Sequence, residues 1–154
     1  MGGSVLSLVL VLLGSASTAL ALTADARDVL LADAMRLLGA RTYVASASNW
    51  CSLNIADDPA LAASVQAWQE RNRTVNDRAL QVIEAVGGLS PERRAEMNRM
   101  GDQVIRRDIE HRPDPRAFCR DLPGKLDSGV IDMDKRDDLR GPLERVFAYP
   151  LPKS

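Results

Sequence analysis

His111 is the only histidine in the chain and the first candidate for acid–base or metal chemistry, because imidazole titrates near neutral pH. It follows Glu110 in the last turn of a predicted helix, with no second histidine and no Ser-His-Asp arrangement nearby. Histidine-based zinc sites and catalytic triads need such partners. A cation at a helix C-terminus is stabilised by the exposed carbonyl groups. The sequence therefore favours a capping role for His111.

Four aspartates form a second candidate for metal chemistry: Asp132, Asp134, Asp137 and Asp138. An EF-hand loop beginning at Asp132 would need an oxygen ligand at its fifth position and glycine at its sixth. The sequence has Arg136 and Asp137 at those positions. We therefore expect an acidic first turn of a short helix, which complements the helix macrodipole.

A haem group is also disfavoured. Covalent attachment needs Cys-x-x-Cys-His, which the chain lacks. His111 shares one predicted helix with Met97 and Met100, so these side chains cannot ligate opposite faces of one iron. The sequence therefore predicts no cofactor and no metal.

The two cysteines, Cys51 and Cys119, allow one intramolecular disulfide in an oxidising compartment. Closing a loop of 68 residues would stabilise the fold by about 4 kcal/mol through the entropy of the unfolded chain. The alternative is two buried thiols far apart. A catalytic redox pair is not indicated, because the spacing is not Cys-x-x-Cys.

A polar group interrupts an otherwise apolar helical seam at Asn72, between Arg71 and Arg73. A buried amide without partners costs about 1–3 kcal/mol, so Asn72 either bonds to a neighbouring loop, sets helix register, or contacts a ligand near Trp68. We retain Trp68, Arg71, Asn72 and Arg73 as candidate binding residues.

A second candidate surface lies at the end of the third predicted helix and comprises Arg106, Arg107, His111 and Arg112. Arginine suits polar contacts with carboxylates at interfaces. Of the 20 basic residues in the chain only three are lysine.

Residues 1–21 have the pattern of a secretory signal. They contain no charged side chain, the run Val5–Leu13 is almost wholly apolar, and Ala19-Leu20-Ala21 fits the rule for signal peptidase. The start of the segment lacks lysine and arginine. An uncleaved anchor is the alternative, although a membrane span needs about 20 apolar residues. We expect a periplasmic or secreted protein that meets the membrane only through this segment before cleavage.

The remaining 133 of the 154 residues suffice for one hydrophobic core. We expect one helical domain over residues 22–148 and an extended tail over residues 149–154. The formal net charge of −1 disfavours a nucleic-acid partner, which would call for a clustered basic excess.

Helical spacing of apolar residues predicts an all-α bundle of about four main helices plus short C-terminal pieces. The first helix is capped by Thr23 and runs to about Ser48. The second begins at Asp58-Pro59 and continues without a break to Gly87-Gly88.

The third helix runs from Ser90 to Arg112, and Asp114-Pro115 opens the fourth. We expect Pro123-Gly124 to break or kink that helix, and Gly141-Pro142 to interrupt the last one. The apolar face of the third helix comprises Met97, Met100, Val104, Ile105 and Ile109.

The stretch Gly88-Leu89-Ser90-Pro91-Glu92-Arg93-Arg94-Ala95-Glu96-Met97 resembles the Leu-Thr-x-x-Gln segments of small exported helical chaperones of the stress-response type. Arg93 or Arg94 stands in place of the characteristic glutamine, and the segment occurs once. The resemblance implies a chaperone-like alternative for the function.

These patterns predict an exported, non-enzymatic binding protein, such as an inhibitor, adaptor or accessory subunit, whose partner is another exported or envelope protein. One alternative is a periplasmic chaperone-like stress protein. Another is a carboxylate-dependent cell-wall enzyme that uses two acids, although spacing does not identify the pair.

Overall fold

A computed structural model describes residues 22–55 and 58–151. The predicted signal segment and the last three residues of the predicted tail lie outside the described residues. Within this part the chain forms six α-helices and one short 3₁₀ turn, with no strand: α1 (Ala24–Asn54), α2 (Pro59–Arg71), α3 (Arg73–Ala85), α4 (Pro91–Glu110), α5 (Pro115–Asp127), the 3₁₀ turn (Met133–Lys135) and α6 (Asp137–Ala148). The predicted all-α fold is confirmed.

The N-terminal residues of four helices follow the predicted capping pattern. Thr23, Asp58, Ser90 and Asp114 each accept a hydrogen bond from a backbone N–H in the first turn of α1, α2, α4 and α5 respectively. Such side chains satisfy backbone donors that have no partner within the helix. The last three of these helices also have proline in the first turn, where its missing N–H costs nothing.

Helix α1 is the centre of the bundle and packs against all five other α-helices. It continues through Gly39 to Asn54, so the predicted end near Ser48 was too early. Its buried side chains are distributed around the helix, as expected of a helix surrounded by others. The fully buried ones include Ala34, Leu37 and Ala47.

The predicted second helix is wrong in one respect, because the chain breaks it at Asn72 into α2 and α3. Asn72 has φ −98° and ψ 5°, outside the helical region, although its N–H still donates to the carbonyl of Trp68 at 3.1 Å. The apolar repeat runs through the break, since Trp68 precedes it and Ala79 and Val82 follow it as buried residues. The periodicity therefore could not locate the break.

The prolines within the last two α-helices do not interrupt them, contrary to expectation. Helix α5 contains Pro123 and continues to Asp127, and α6 contains Pro142 and continues to Ala148. Pro142 is itself buried in the contact with the rest of the bundle. A proline inside a helix removes one hydrogen bond, and tertiary packing of the surrounding residues outweighs that loss here.

The disulfide between Cys51 and Cys119 joins α1 to α5, with a Cα–Cα distance of 5.5 Å. Trp50 and Phe118, which precede the two cysteines in the sequence, belong to the same buried cluster. The covalent link therefore lies inside the core, beside aromatic side chains that shield it from solvent.

The end of α6 is held by Arg78 of α3. Its guanidinium donates to the carbonyls of Val146 and Phe147 at 3.2 Å each and also to that of Tyr149. Tyr149 and Leu151 of the predicted tail pack partly against the core. The beginning of the tail is thus attached to the bundle.

Candidate functional site

The first candidate group lies inside the fold, around the junction of α2 and α3. The side chain of Asn72 donates to the carbonyl of Trp68 at 2.9 Å and to Oδ1 of Asp132 at 3.2 Å. Its own oxygen accepts the N–H of Met133 at 2.8 Å. Asn72 is only 2% exposed, so these bonds are what makes its burial tolerable.

Arg71 completes this polar network from the surface side. Its Nε donates to Oδ2 of Asp132 at 3.0 Å and its Nη2 donates to Oδ1 at 3.2 Å, the two-point geometry that favours arginine over lysine. Nη2 also donates to the carbonyl of Leu126. The side chain of Asp132 is 7% exposed, so its charge is buried beside a partner.

Trp68 is fully buried, and its indole N–H donates to the carbonyl of Ile131 at 3.2 Å. Arg73 lies on the surface and pairs with Glu70 at 2.9 Å. The hydrogen bond to a neighbouring loop, one of the alternatives for Asn72, is therefore present. The network fixes the α2–α3 junction against the segment before the 3₁₀ turn, and it leaves Trp68 and Asn72 inaccessible to a partner.

Sequence reasoning missed that Asp132 belongs to this network, since it was grouped with three acidic neighbours. Asp137 and Asp138 do form an acidic first turn of α6, and Asp134 stands in the 3₁₀ turn. Asp132 instead turns inward towards residues about 60 positions earlier. No local pattern in the sequence identified this role, because Asn72 and Asp132 are 60 positions apart.

The second candidate group divides between two sides of α4. Arg106 pairs with Asp102 at 2.6 Å, and Arg112 pairs with Asp108 at 2.7 Å while its guanidinium carbon lies 4.5 Å from the ring centre of Phe118. Arg107 and His111 are exposed. The Nδ1–H of His111 donates to the carbonyl of Arg107 at 2.7 Å, which is the contact of a C-terminal cap.

The apolar face predicted for α4 is wider than the surface that the bundle covers. Ile109 is fully buried and Ile105 is partly buried. Met100 and Val104, by contrast, are 48% and 67% exposed. Helix α4 thus has a packed inner side and an apolar side without a partner among the described residues.

We define the α4 stripe as Met97, Met100, Val104, Arg107 and His111. Successive members are three or four positions apart, so they follow one side of the helix. A shallow groove of about 290 Å³ lies at its C-terminal half and is lined by Val104, Arg107, Asp108 and His111. This spacing is that of a helix that packs against another helix.

A larger and more apolar groove, of about 460 Å³, lies at another part of the surface, where the start of α1 meets the end of α6. Leu22, Val29 and Tyr149 are among its lining residues, and Asp25 and Arg145 are the charged residues that line it. Arg145 is already bonded to Asp33. The groove is therefore an apolar depression with little polar chemistry to orient a ligand.

The acidic residues with shifted pKa do not suit acid catalysis. The pKa of Asp102 is lowered by the hydroxyl of Ser46 and by Arg106, and that of Asp138 by Arg136. Hydrogen bonds to the Glu92 backbone and to Ser90 lower the pKa of Glu92. A general acid needs the opposite shift, which keeps the carboxyl protonated at neutral pH.

Residues 22–55 and 58–151 contain no group of three His, Cys, Asp or Glu side chains placed to hold a metal ion. None of the helices described is long and apolar enough to cross a membrane. No protein-family model matches this chain, and no curated protein or solved structure shows significant similarity to it. The structure itself defines the class: an all-α domain with one internal disulfide.

Proposed function

We propose that this protein is an exported, non-enzymatic binding protein, and that it contacts another exported or envelope protein through the α4 stripe. The observation that carries the proposal is the exposure of Met100 and Val104 in the middle of a regular helical repeat. Apolar side chains at such spacing lose contact with water when a second helix packs on them.

The rigidity of the scaffold supports this reading. Helix α4 has 20 residues, is capped by Ser90 at its start, and packs along α1, which the disulfide fixes to α5. A binding surface on a preorganised helix loses little conformational entropy when a partner docks. The disulfide also supports export, because such bonds persist mainly in oxidising compartments.

Site-specific photo-crosslinking in the native cell envelope tests this proposal. A photoreactive residue replaces Val104 in one full-length variant, and Val130 in a matched control. Val130 is 60% exposed against 67% for Val104, but it lies outside the stripe. We expect a crosslinked product of discrete mass from position 104 and none from position 130. Equal crosslinking at both positions, or none at position 104, would refute the proposal.

A chaperone-like function is the second candidate, because exposed methionine and aliphatic side chains also suit promiscuous apolar contacts. It requires crosslinking at position 104 to many products of different mass. It also requires suppression of aggregation of several unrelated proteins, with loss of that activity in the M100S/V104S variant. A single discrete product would exclude it.

A further inference from the structure

The charges around the α4 stripe indicate what kind of partner it fits, an inference that depends on the proposed function. Helix α4 has five carboxylates and five arginines. The carboxylates all have a hydrogen-bonding partner within the protein, whereas some of the arginines have no carboxylate partner among the described residues. These arginines are therefore the charges that remain for another protein.

Every carboxylate of α4 has a partner in the protein itself. Glu96 and Asp102 pair within the helix with Arg99 and Arg106. Asp108 pairs with Arg112, just after the end of the helix. Glu110 accepts the indole N–H of Trp50 at 3.3 Å. Glu92 bonds to the Ser90 side chain and to its own backbone at the start of the helix.

Among the described residues, by contrast, Arg93, Arg94 and Arg107 have no carboxylate within 4.0 Å. Arg93 and Arg107 are exposed, whereas Arg94 is only partly exposed. Arg107 is a member of the stripe, and Arg93 continues its spacing four positions before Met97. The stripe is therefore an apolar centre, Met97, Met100 and Val104, between two exposed guanidinium groups.

We propose that the partner presents an amphipathic helix in which two carboxylates flank an apolar stripe. Arg93 and Arg107 are 14 positions apart, or roughly 21 Å along the helix axis at ~1.5 Å per residue. A partner helix packed side by side would place its Asp or Glu about 14 positions apart as well, with apolar residues at three- and four-residue spacing between them. Arginine forms two-point hydrogen bonds with such carboxylates.

Charge argues against two other occupants. A second copy of this chain would bring its own stripe, whose neighbouring carboxylates are already paired, and would set guanidinium groups against each other. Helices that lie on anionic membranes carry an excess of lysine and arginine on the polar face. The equal number of acids and arginines in α4 does not provide that excess.

Synthetic helical peptides provide the test. The first peptide has leucine at a seven-residue repeat between two glutamates 14 positions apart; the second has glutamine and the third lysine in place of both glutamates. Binding to the purified oxidised protein is measured by fluorescence anisotropy. We expect the glutamate peptide to bind about five- to tenfold more tightly than the glutamine peptide, and the lysine peptide to bind most weakly.

Protein variants identify the groups responsible. We expect R93Q/R107Q to remove the difference between the glutamate and glutamine peptides. The matched control is R116Q/R120Q on α5, where both arginines are exposed, and it should keep that difference. M100S/V104S should weaken binding of all three peptides. Circular dichroism of each variant checks that it is folded.

The outcomes separate this inference from the proposed function. If position 104 crosslinks to one partner but the three peptides bind equally, the stripe is an interface, and the proposal that its partner presents two carboxylates is wrong. Two further results would also overturn the inference. One is a dimer in native mass spectrometry that M100S/V104S abolishes. The other is binding to anionic phosphatidylglycerol vesicles that R93Q/R107Q abolishes, together with no preference for the glutamate peptide over the glutamine peptide. Failure of crosslinking at position 104 would instead refute the proposed function.

Discussion

Asp33 of α1 and Arg145 of α6 form a two-point ion pair, although 112 residues separate them in the sequence. The Nε of Arg145 lies 2.6 Å from Oδ2 of Asp33, and its Nη2 lies 2.9 Å from Oδ1. The side chain of Asp33 is 9% exposed and that of Arg145 is 53% exposed. The hydrogen bond with Asp33 raises the pKa of Arg145. This contact fixes α6 against the central helix.

Replacing Arg145 by alanine should lower the free energy of unfolding, because the buried side chain of Asp33 would lose both of its hydrogen bonds to the guanidinium group. The half-exposed arginine keeps the effect below that of a fully buried pair. Urea denaturation measures the loss. The D33A/R145A double variant should lose less than the sum of the two single variants. Strictly additive losses would show that the two residues do not interact.

Replacing Asn72 by alanine should cost about 2–3 kcal/mol, because the buried N–H of Met133 loses its acceptor and Asp132 loses one of its donors. Asn72→Leu restores the apolar repeat but should also destabilise the fold, since a leucine side chain cannot accept the N–H of Met133. Arg73→Ala is the control, because its pair with Glu70 is exposed on both sides and should contribute less than about 1 kcal/mol. Equal stability of N72L and the native chain in thermal or chemical denaturation would contradict this prediction.

The disulfide should be a major contributor to stability. Reduction, or the C51S/C119S variant, opens a loop of 68 residues and should lower the free energy of unfolding by about 4 kcal/mol in the chain-entropy model. Urea denaturation with and without reductant measures the difference. Reductant should have no effect on the double variant, which serves as the control. An unchanged midpoint for the native chain after complete reduction would show that the helical core alone determines stability.

Asp102 should make the fold sensitive to acid. Its pKa in the folded state is lowered by the hydroxyl of Ser46 and by Arg106, so its stabilisation is present above the unfolded pKa of about 3.9. That stabilisation is lost as the pH falls through the folded value. The free energy of unfolding of D102N should therefore decrease less than that of the native chain when the pH falls from about 5 to about 3.

The control for this prediction is D121N, which removes the same charge from an exposed position on α5. Denaturation curves collected across the pH range give the comparison. An acid dependence of D102N that matches that of the native chain would mean that Asp102 has no coupling to folding.

Much of the helical framework could be predicted from local sequence. Thr23, Asp58, Ser90 and Asp114 were identified as helix starts because a capping side chain bonds to backbone groups two or three positions away. Cys51 and Cys119 could pair only with each other, because the chain has no other cysteine. The fold then brings their Cα atoms to 5.5 Å. These features depend on neighbouring residues or on composition.

The candidate site was predicted only in part. Arg107 and His111 were identified, and the structure places them on the exposed side of α4. The apolar residues of that side, Met100 and Val104, were instead grouped with Ile105 and Ile109 on one apolar face, although the structure leaves them exposed. Periodicity shows which residues share a side of a helix, but it does not show how much of that side the rest of the protein covers.

The sequence by itself determined the helical class of this protein, the start of its main helices and the only cysteine pairing open to it, since all three depend on local hydrogen bonding or on residue count. Tertiary structure decided the break at Asn72, because the amide finds its partners at Asp132 and Met133 about 60 positions away. It also decided the ion pair of Asp33 with Arg145 and the exposure of the α4 stripe. Each of these depends on which elements meet in space, and that is settled by the packing of all the helices around α1.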